Sequence, residues 1–394
     1  MVRKSERDLA HLWGRLEKLR QGPLRAGAFR SELHTQRIGA LLGIALGVSF
    51  SICFATGLLS HLIQQPPAWF EWPSRPAGLY RITQGLHVFT GLVSIPLLLG
   101  KLWAVYPRLW MWPPITGLLH LVERVSLVPL VAGSLFLVAT GLFNIAYWYP
   151  FGFFFPTGHY WAAWITVGAL IVHIGAKIVL TTKVLGRAAP PETTAQRSSR
   201  RAFLSTIAAT SGVVLLTTVG ETLRPLSRLA VLAPRRPDFG PQDLPVNKSA
   251  AGARVLEVAR DPGYRLAIEG NVARPLQLSL DDLRALAQHE ARLPIACVEG
   301  WSVEATWRGV RVRDLLAVAG APDEASVGVE SLQPSGLYRR SELSPAHAHD
   351  RDTLLALEVN RMPLHIDHGF PLRLIGPNRP GVMQTKWVSK LVVA

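Results

Sequence analysis

The feature that most constrains this chain is the uneven distribution of its apolar residues. A helix that crosses the hydrocarbon core of a bilayer needs about 20 mostly apolar residues. Five runs of the sequence meet this requirement, at roughly 39–62, 79–103, 121–147, 159–182 and 203–222. The residues after about 235 have instead the mixed composition of a soluble domain. The pattern predicts a multi-domain chain in which an α-helical transmembrane bundle precedes a soluble domain.

Basic residues predict the orientation of the spans, because cytoplasmic loops carry an excess of Lys and Arg. The arm 1–37 is basic and precedes the first span, and bases return in the loop 104–117 and the linker 183–201. The loop 63–79 has a single base and the loop 148–158 has none. We therefore expect a multi-pass protein of the cell membrane, in contact with lipid, whose residues after the fifth span are extracytoplasmic.

The formal net charge of +15 does not indicate a nucleic-acid partner. The basic arm borders a membrane span, and no motif interleaves basic with aromatic residues as nucleic-acid-binding surfaces do. We expect no nucleic acid to bind.

The linker before the fifth span ends in Ser199–Leu204, with the sequence SRRAFL. This run resembles a twin-arginine export signal placed inside the chain. Such signals serve domains that fold, often around a cofactor, before they cross the membrane. The alternative is an ordinary basic flank of a transmembrane helix.

In the soluble part, short-range patterns predict an α+β domain. Alternating apolar residues predict strands at 254–259, 264–270 and 387–393. Apolar positions at helical spacing predict a helix at 280–286. Residues 310–320 are typical of a strand that turns into a short helix ended by Gly320.

Histidines in the apolar runs indicate a cofactor, because ionisable residues inside membrane spans usually mark a functional site. His87 lies in the second predicted span and His173 in the fourth, whereas His61, His120 and His159 lie at span edges. No other type of metal ligand accompanies them, which suits axial imidazole ligation of haem. The edge histidines His61 and His120 could equally be interfacial.

His159 and His173 would lie about 21 Å apart on one helix and within about 40° in azimuth, so one helix could serve two haems. Two pairings stay open: His87 with His173, or His159 with His87 or His61. The bundle resembles the cytochrome b561-like and ferric-reductase-like haem b membrane proteins. That resemblance implies one or two haem b groups and electron exchange with a quinone or another membrane carrier.

The chain has two cysteines, Cys53 in an apolar run and Cys297 in the soluble part, which excludes a disulfide framework or a CxxC zinc site. Cys297 is either a buried apolar residue or a reactive or metal-bound thiolate. It lies in the run PIACVEGWS at 294–302. Further motifs lie at 246–248, 307–310, 357–360, 363–364, 368–377 and 386–388.

In this order the motifs resemble the sulfite-oxidase-like molybdopterin family, which includes sulfite dehydrogenases and periplasmic methionine sulfoxide reductases. The resemblance covers roughly 245–394 and implies a Mo-molybdopterin cofactor, with Cys297 as the protein ligand of molybdenum. A soft thiolate suits that metal. The residues expected to hold the pterin and its phosphate are Asn247, Gly300, Trp301, His368, Arg373, Arg379 and Lys386.

Tyr338, Arg379 and a further base, Arg339, each have two interpretations. Tyr338 is a candidate for the substrate pocket, but it could be an exposed loop residue. Arg379 and Arg339 could be solvated surface bases.

The sequence therefore predicts a membrane-bound molybdopterin-dependent oxidoreductase. It would perform oxygen-atom transfer on a small extracytoplasmic substrate, in the manner of a sulfite dehydrogenase or a sulfoxide reductase. Two alternatives stay open: a non-catalytic membrane receptor or scaffold, and a molybdoenzyme on a haem-free anchor.

The predicted domains are a basic arm (1–37), a four-helix membrane domain with haem b (38–185), a linker with the fifth span (186–223), a second linker (224–245) and the catalytic domain (246–394).

Overall fold

A computed structural model describes residues 23, 25, 27–112, 115–187, 191–219, 224–229, 231 and 239–394. Most of the basic arm and part of the second linker lie outside the described residues. The chain divides into two compact units. One comprises Met1–Phe54 and Phe89–Leu215, and the other comprises Ala55–Val88 and Leu216–Ala394.

Five long helices account for the apolar runs. They are α1 (Gln36–Gln64), α2 (Leu79–Leu109), α3 (Leu118–Ile145), α4 (Phe155–Gly186) and α5 (Thr194–Val219). All five are long and apolar enough to cross a membrane, judged by length and composition. Large apolar side chains such as Val128 and Val179 are exposed on them. The prediction of five long apolar helices is confirmed.

The second helix is longer than predicted, so the expected loop 104–117 is wrong in its first part. α2 continues to Leu109. The Arg124 side chain donates to the carbonyl oxygens of Arg108 at 2.7 Å and Leu109 at 3.0 Å. These are carbonyls that a helix end leaves without an intrahelical partner, so Arg124 stabilises the extra turn.

The fifth helix starts earlier than the predicted residue 203. The hydroxyl of Thr193 accepts from the backbone N–H of Gln196 at 3.2 Å, and the Gln196 side chain accepts from the N–H of Thr193 at 3.1 Å. This reciprocal capping box starts the helix at Thr194. Arg200 and Arg201 therefore lie within α5 and not in a linker before it.

In the first unit, α3 and α4 pack side by side. Lys177 of α4 forms an ion pair with Glu123 of α3 at 2.6 Å. His159 and His173 both lie on α4, as predicted.

The second unit contains two five-stranded sheets built from β1 (Leu266–Gly270), β2 (Leu276–Leu278), β3 (His289–Ala296), β4 (Ser302–Arg311), β5 (Val327–Ser331), β6 (Arg340–Leu343), β7 (Leu354–Val359), β8 (Met362–Pro363), β9 (Arg373–Ile375) and β10 (Val388–Val393). The first sheet has the order β2-β1-β10-β5-β6. The second has the order β3-β4-β7-β8, with β9 paired to β7. Short helices complete the unit: α6 (Ala250–Ala253), α7 (Leu280–Ala285), α8 (Val312–Ala319) and α9 (Pro345–Ala348). The α+β class is confirmed.

The described residues of this unit form two large apolar cores, and the first contains side chains of both sheets. α8 buries Val312, Leu315, Leu316 and Ala319, which share one helical face, in this first core. Gly320 ends α8 in the left-handed conformation, as predicted. The second core includes Cys297. The candidate metal ligand is therefore held in a packed interior.

The strand predicted at 254–259 is wrong. Ser249 caps the short helix α6, and Arg254 ends it in the left-handed conformation at φ 58°. A single 3₁₀ turn, Val258–Arg260, follows. Val255 and Ala259 are buried in one cluster with Trp387, so these helical turns explain the apolar pattern that resembled a strand.

Candidate active site

Cys297 occupies the tight turn between β3 and β4. The two strands pair from His289 opposite Gly309 to Ala296 opposite Ser302. Beyond that pair, the N–H of Cys297 donates to the Trp301 carbonyl at 2.9 Å, and the N–H of Gly300 donates to the Cys297 carbonyl at 3.1 Å. A long antiparallel hairpin thus fixes the position of the sulfur.

The sulfur is buried and accepts hydrogen bonds. The residue is 1 % exposed. Asn247 Nδ2 lies 2.8 Å from Sγ, and the N–H of Glu299 lies 3.5 Å from it. Donors directed at a sulfur favour the thiolate over the thiol. This arrangement supports the metal-ligand interpretation over that of an inert buried cysteine.

Gly300 and Trp301 shape the turn. Gly300 has φ +107°, a conformation that side chains rarely adopt, and a Cβ there would stand 3.1 Å from a methyl group of Val88. The indole N–H of Trp301 donates to the Glu299 carboxylate at 3.1 Å, and both side chains are buried. These contacts give both residues a role in holding the turn, and their predicted cofactor contacts stay predictions.

Three cations close to this turn in the fold are buried or half-buried. Arg373, Arg379 and Lys386 form no ion pair among the described residues, and Nε of each arginine has no hydrogen-bond partner there. Burial lowers the pKa of Arg373 and of Arg379 to about 10. Burial, followed by the charge of Arg373, lowers the pKa of Lys386 to about 7. Uncompensated cations in the interior are costly, so this cluster fits an anionic ligand.

Four predicted binding residues form one connected group. Arg373 Nη1 donates to the His368 carbonyl at 3.0 Å. Lys386 Nζ donates to the carbonyl of Lys248, the neighbour of Asn247, at 2.9 Å. The negative charge of Cys297 also acts on Lys386. Asn247, His368, Arg373 and Lys386 are thus brought together near the sulfur.

His368 stays neutral. Burial, followed by the charge of Arg373, lowers its pKa to about 3. Its Nε2 lies 2.6 Å from the Pro241 carbonyl oxygen, so this nitrogen carries the proton and donates it there. The predicted contact of His368 with the cofactor is therefore not made through Nε2.

The turn at Arg379 lies beside the end of β3. Pro380 pairs with Ala296 in an isolated parallel bridge. Arg379 is 5 % exposed, which contradicts its interpretation as a solvated surface base. Arg339 is exposed, in agreement with its interpretation as a surface base.

Tyr338 is half-buried, and its hydroxyl donates to Oε1 of Gln64 at 3.0 Å. Burial, followed by the negative charge of Cys297, raises its pKa. The phenol is therefore protonated at neutral pH and lies within electrostatic reach of the sulfur. The alternative of an exposed loop tyrosine is wrong.

Sequence reasoning missed two buried polar side chains. His347 Nε2 and Thr353 Oγ1 have no hydrogen-bond partner among the described residues. Burial, followed by the charge of Arg379, lowers the pKa of His347 to about 4. Buried polar atoms are nearly always paired, so these atoms and Oδ1 of Asn247 fit a polar ligand. No sequence motif marks His347 or Thr353.

The predicted haem ligands lie on three helices: His61 on α1, His87 on α2, and His159 and His173 on α4. In the second unit, the His87 ring packs against Gly57, where a Cβ would stand 2.7 Å from it. In the first unit, Nδ1 of His159 lies 2.9 Å from Oγ1 of Thr140.

The comparison with known protein families decides the type of the C-terminal domain. Residues 253–394 match the family described as oxidoreductase molybdopterin binding domain. This region is a molybdopterin-binding oxidoreductase domain of the sulfite oxidase type. Such a domain indicates an oxidoreductase enzyme.

Relatives of the domain include oxidoreductases of animals and bacteria. Mitochondrial sulfite oxidase of Drosophila melanogaster is 34% identical over 164 residues, which cover 35% of this chain and 28% of that protein. The uncharacterized oxidoreductase YuiH of Bacillus subtilis is 33% identical over 126 residues, which cover 32% of this chain and 62% of YuiH. The sulfane dehydrogenase SoxCD of Paracoccus pantotrophus is 26% identical, covers 34% of this chain and 38% of that chain, and has a TM-score of 0.31. This chain thus spans less than a third of the fly sulfite oxidase that it matches.

Proposed function

We propose that this chain is a membrane-bound molybdopterin-dependent oxidoreductase that performs oxygen-atom transfer on a small extracytoplasmic substrate. Its electrons would pass through haem b in the helical part to or from a quinone or another membrane carrier. The observation that carries the proposal is the Cys297 sulfur, which accepts from Asn247 at 2.8 Å and whose negative charge acts on Lys386, a cation with no ion pair among the described residues.

The residues of the site suit an anionic metal cofactor. Cys297 would bind molybdenum, and Asn247 would stabilise its thiolate. Arg373, Arg379 and Lys386 would neutralise the phosphate and orient the pterin. Molybdenum bound there supplies two-electron oxygen-atom chemistry, while the protein binds and orients the reactants. Tyr338, protonated at neutral pH and oriented by the hydrogen bond that it donates to Gln64, would line the substrate pocket.

Contacts within the second unit support the proposed topology. Arg75, in the loop between α1 and α2, donates to Asp350 and Asp352 of the catalytic domain at 2.5–2.9 Å. A loop and a domain in contact lie on the same side of a membrane. Five spans from a cytoplasmic N-terminus would place both on the outer side, in agreement with the distribution of basic residues.

The surroundings of His159 support haem ligation. Thr140 Oγ1 donates to the Phe136 carbonyl at 2.7 Å, so it accepts from Nδ1–H of His159 at 2.9 Å. That tautomer makes Nε2 the acceptor atom of the ring, and a metal-binding histidine usually donates through its other nitrogen in this way. His120 differs, because both of its ring nitrogens contact Thr116 or Arg124.

Metal analysis combined with a dithionite-reduced minus oxidised absorption spectrum tests the proposal. Molybdenum together with a haem b spectrum is the expected result. Molybdenum without haem would indicate the haem-free anchor, and the absence of both from protein expressed with its cofactors would favour a receptor or scaffold. In stopped flow, oxidation of reduced haem by methionine sulfoxide would indicate a reductase, and reduction of oxidised haem by sulfite would indicate a dehydrogenase.

A further inference from the structure

The ends of α1 and α2 pack against the strand end that presents Cys297. The 64–84 segment comprises the last residue of α1, the connecting loop and the start of α2, and it belongs to the same compact unit as the catalytic domain. Ile63 and Tyr80 are buried in one cluster with Ala296, the residue before Cys297. The helix ends therefore form part of the packing of the candidate active site.

Hydrogen bonds of Asn378 connect the 64–84 segment to the turn that contains Arg379. Its Nδ2 donates to the Pro73 carbonyl at 2.6 Å, and its Oδ1 accepts from the backbone N–H of Tyr80 at 2.7 Å. Its own carbonyl accepts from the indole of Trp72 at 2.8 Å. The N–H of Tyr80 belongs to the first turn of α2, where backbone donors have no intrahelical partner. Asn378 thus caps this helix from about 300 residues away.

Arg75 provides a second attachment. Its guanidinium contacts both carboxylate oxygens of Asp350, at 2.8 and 2.9 Å. Burial opposes ionisation of Asp350, but the hydrogen bonds from Arg75, the Asp352 backbone and Ser74, with the charge of Arg75, together lower the pKa of this carboxyl group. A bidentate pair of this kind fixes orientation as well as distance.

Gln84 contacts the Cys297 turn itself. Its Nε2 donates at 3.0 Å to the carbonyl of Val298, the residue after Cys297. Gln84 is buried, and its Oε1 accepts from the Tyr80 hydroxyl at 3.4 Å, which orients the amide. A fixed donor from α2 therefore holds the backbone next to the sulfur.

Gln64 holds the other side of the site. Its Nε2 donates to the carbonyl and the hydroxyl oxygen of Ser60, at 3.2 and 3.1 Å. These bonds direct its Oε1 to the Tyr338 hydroxyl, 3.0 Å away. The last residue of α1 thus sets the position of the candidate substrate-pocket phenol.

We propose that Gln84 and Gln64 are positioning residues of the active site, Gln84 for the Cys297 turn and Gln64 for the Tyr338 hydroxyl. The 64–84 segment then forms one wall of the site. This inference rests on the proposed function, because it assigns the wall of the same site.

Gln84→Leu tests the first assignment by hydrogen exchange of the full-length protein. Loss of one buried hydrogen bond should make the backbone amides of 297–301 exchange about tenfold faster. In the molybdenum-loaded protein, the g values of the Mo(V) resonance should also shift, since the ligand turn has moved. Gln84→Glu, which keeps the size but removes the donor, should show the same changes. Unchanged exchange in both variants would overturn the role of Gln84.

Gln64→Leu tests the second assignment, with sulfite and methionine sulfoxide as probes. It should lower kcat/KM about tenfold for the probe that is turned over, and it should speed exchange of the amides 335–341. Gln64→Glu keeps an acceptor for Tyr338 but loses the donor to the Ser60 carbonyl, so it should lower kcat/KM less than Gln64→Leu does. Gln65→Leu is the matched control, because Gln65 is the exposed neighbour. Equal behaviour of Gln64→Leu and Gln65→Leu would overturn the role of Gln64.

The exchange measurements need no bound metal. If the wild-type protein contains no molybdenum, the proposed function fails, yet faster exchange in Gln84→Leu and Gln64→Leu would still support the positioning contacts. If molybdenum is bound and exchange is unchanged, the positioning assignment fails and the proposed function stands.

Discussion

At the residue scale, the charge state of the candidate site depends on Cys297 and Lys386. The sulfur accepts from Asn247, which favours its anionic form. Lys386 donates to the carbonyls of Lys248 and Asp367 and has no carboxylate partner among the described residues, so its charge is only partly compensated. An anionic cofactor would supply the missing compensation. A single substitution at either residue should therefore have a defined outcome.

Cys297→Ser should abolish molybdenum-dependent turnover while the helical part stays folded. Serine keeps the size of the side chain but provides no soft thiolate for the metal. The assay is turnover per purified protein, together with molybdenum content. Cys53→Ser is the control, because Cys53 lies on α1 outside the catalytic domain, and it should keep wild-type turnover. Full turnover in Cys297→Ser would show that this residue is not the ligand.

Lys386 should make the stability of the cofactor-free catalytic domain depend on pH. Its pKa is lowered from 10.5 to about 7 in the folded state, so between these values the unfolded chain binds a proton that the folded chain lacks. Stability should therefore rise with pH across this window and fall as the pH drops towards 7, by at most about 1.4 kcal/mol per pH unit. Lys386→Met should lose this part of the slope in pulse proteolysis with urea. The same slope in both proteins would contradict the lowered pKa.

At the element scale, helices of this chain serve two different functions. α8 is amphipathic and belongs to a packed core, whereas each of α1 to α5 contains a long apolar stretch and exposes apolar side chains. The first pattern is typical of a soluble domain and the second of a lipid-facing bundle. Substitutions on α8 should accordingly change the stability of the catalytic domain, and substitutions of the histidines on the long helices should change haem b absorbance.

Leu316→Ala should destabilise the catalytic domain by about 2–5 kcal/mol, because it leaves a cavity in the apolar core to which both sheets contribute. Leu316 is 1 % exposed, whereas Val318 of the same helix is 45 % exposed. Val318→Ala, the matched control, should change the free energy of unfolding by no more than about 0.5 kcal/mol. Urea denaturation followed by pulse proteolysis measures both. Similar values for the two variants would mean that α8 does not bury this face.

His87→Ala and His173→Ala should each reduce haem b absorbance in the purified protein, because these histidines lie deepest in the apolar helices. His120→Ala is the control, since Thr116 and Arg124 already engage its ring. Reduced minus oxidised spectra measure the effect. A full spectrum in both variants would leave His61 and His159 as the ligands.

At the scale of the whole molecule, the chain is built from an apolar helical part and a molybdopterin-binding domain. The compact unit that contains this domain also includes Ala55–Val88, so the two parts are not separate in sequence. A domain loaded with cofactor in the cytoplasm would have to cross the membrane folded. The arginine pair in α5 provides a test of that route.

The double variant Arg200→Lys with Arg201→Lys should leave the catalytic domain inside the cell. Lysine keeps the positive charge and can keep the ion pair of Arg200 with Glu192, but the folded-export route depends on the arginines themselves. Protease added to spheroplasts should cleave the wild-type domain and spare that of the variant. Arg197→Lys, on the same helix, is the control and should behave as wild type.

Two outcomes of the protease assay would contradict this account. A protected wild-type domain would overturn the proposed topology. If protease cleaves the catalytic domain equally in the wild type and the double variant, Arg200 and Arg201 are only a basic flank of the apolar stretch in α5.

Local sequence patterns sufficed for several features of this protein. Helix length and apolar content predicted the five long helices, because a helix satisfies its own backbone hydrogen bonds and needs no distant partner. The end of α8 at Gly320 was predicted from an equally local pattern. The run 254–259 was misassigned, since capping by Ser249 and packing on Trp387 decided its conformation.

Only the tertiary structure revealed the contacts that complete the site. Gln84 meets Val298, Gln64 meets Tyr338, and Asn378 meets Pro73, across 214 to 305 residues of sequence. Burial of Arg373 and Arg379, which changes their pKa, likewise follows from the assembled sheets and not from the neighbouring residues. Periodicity and motifs report the interactions of a residue with neighbours that are close to it in the sequence. Which distant polar groups share a buried site is decided only when packing has removed water from around them.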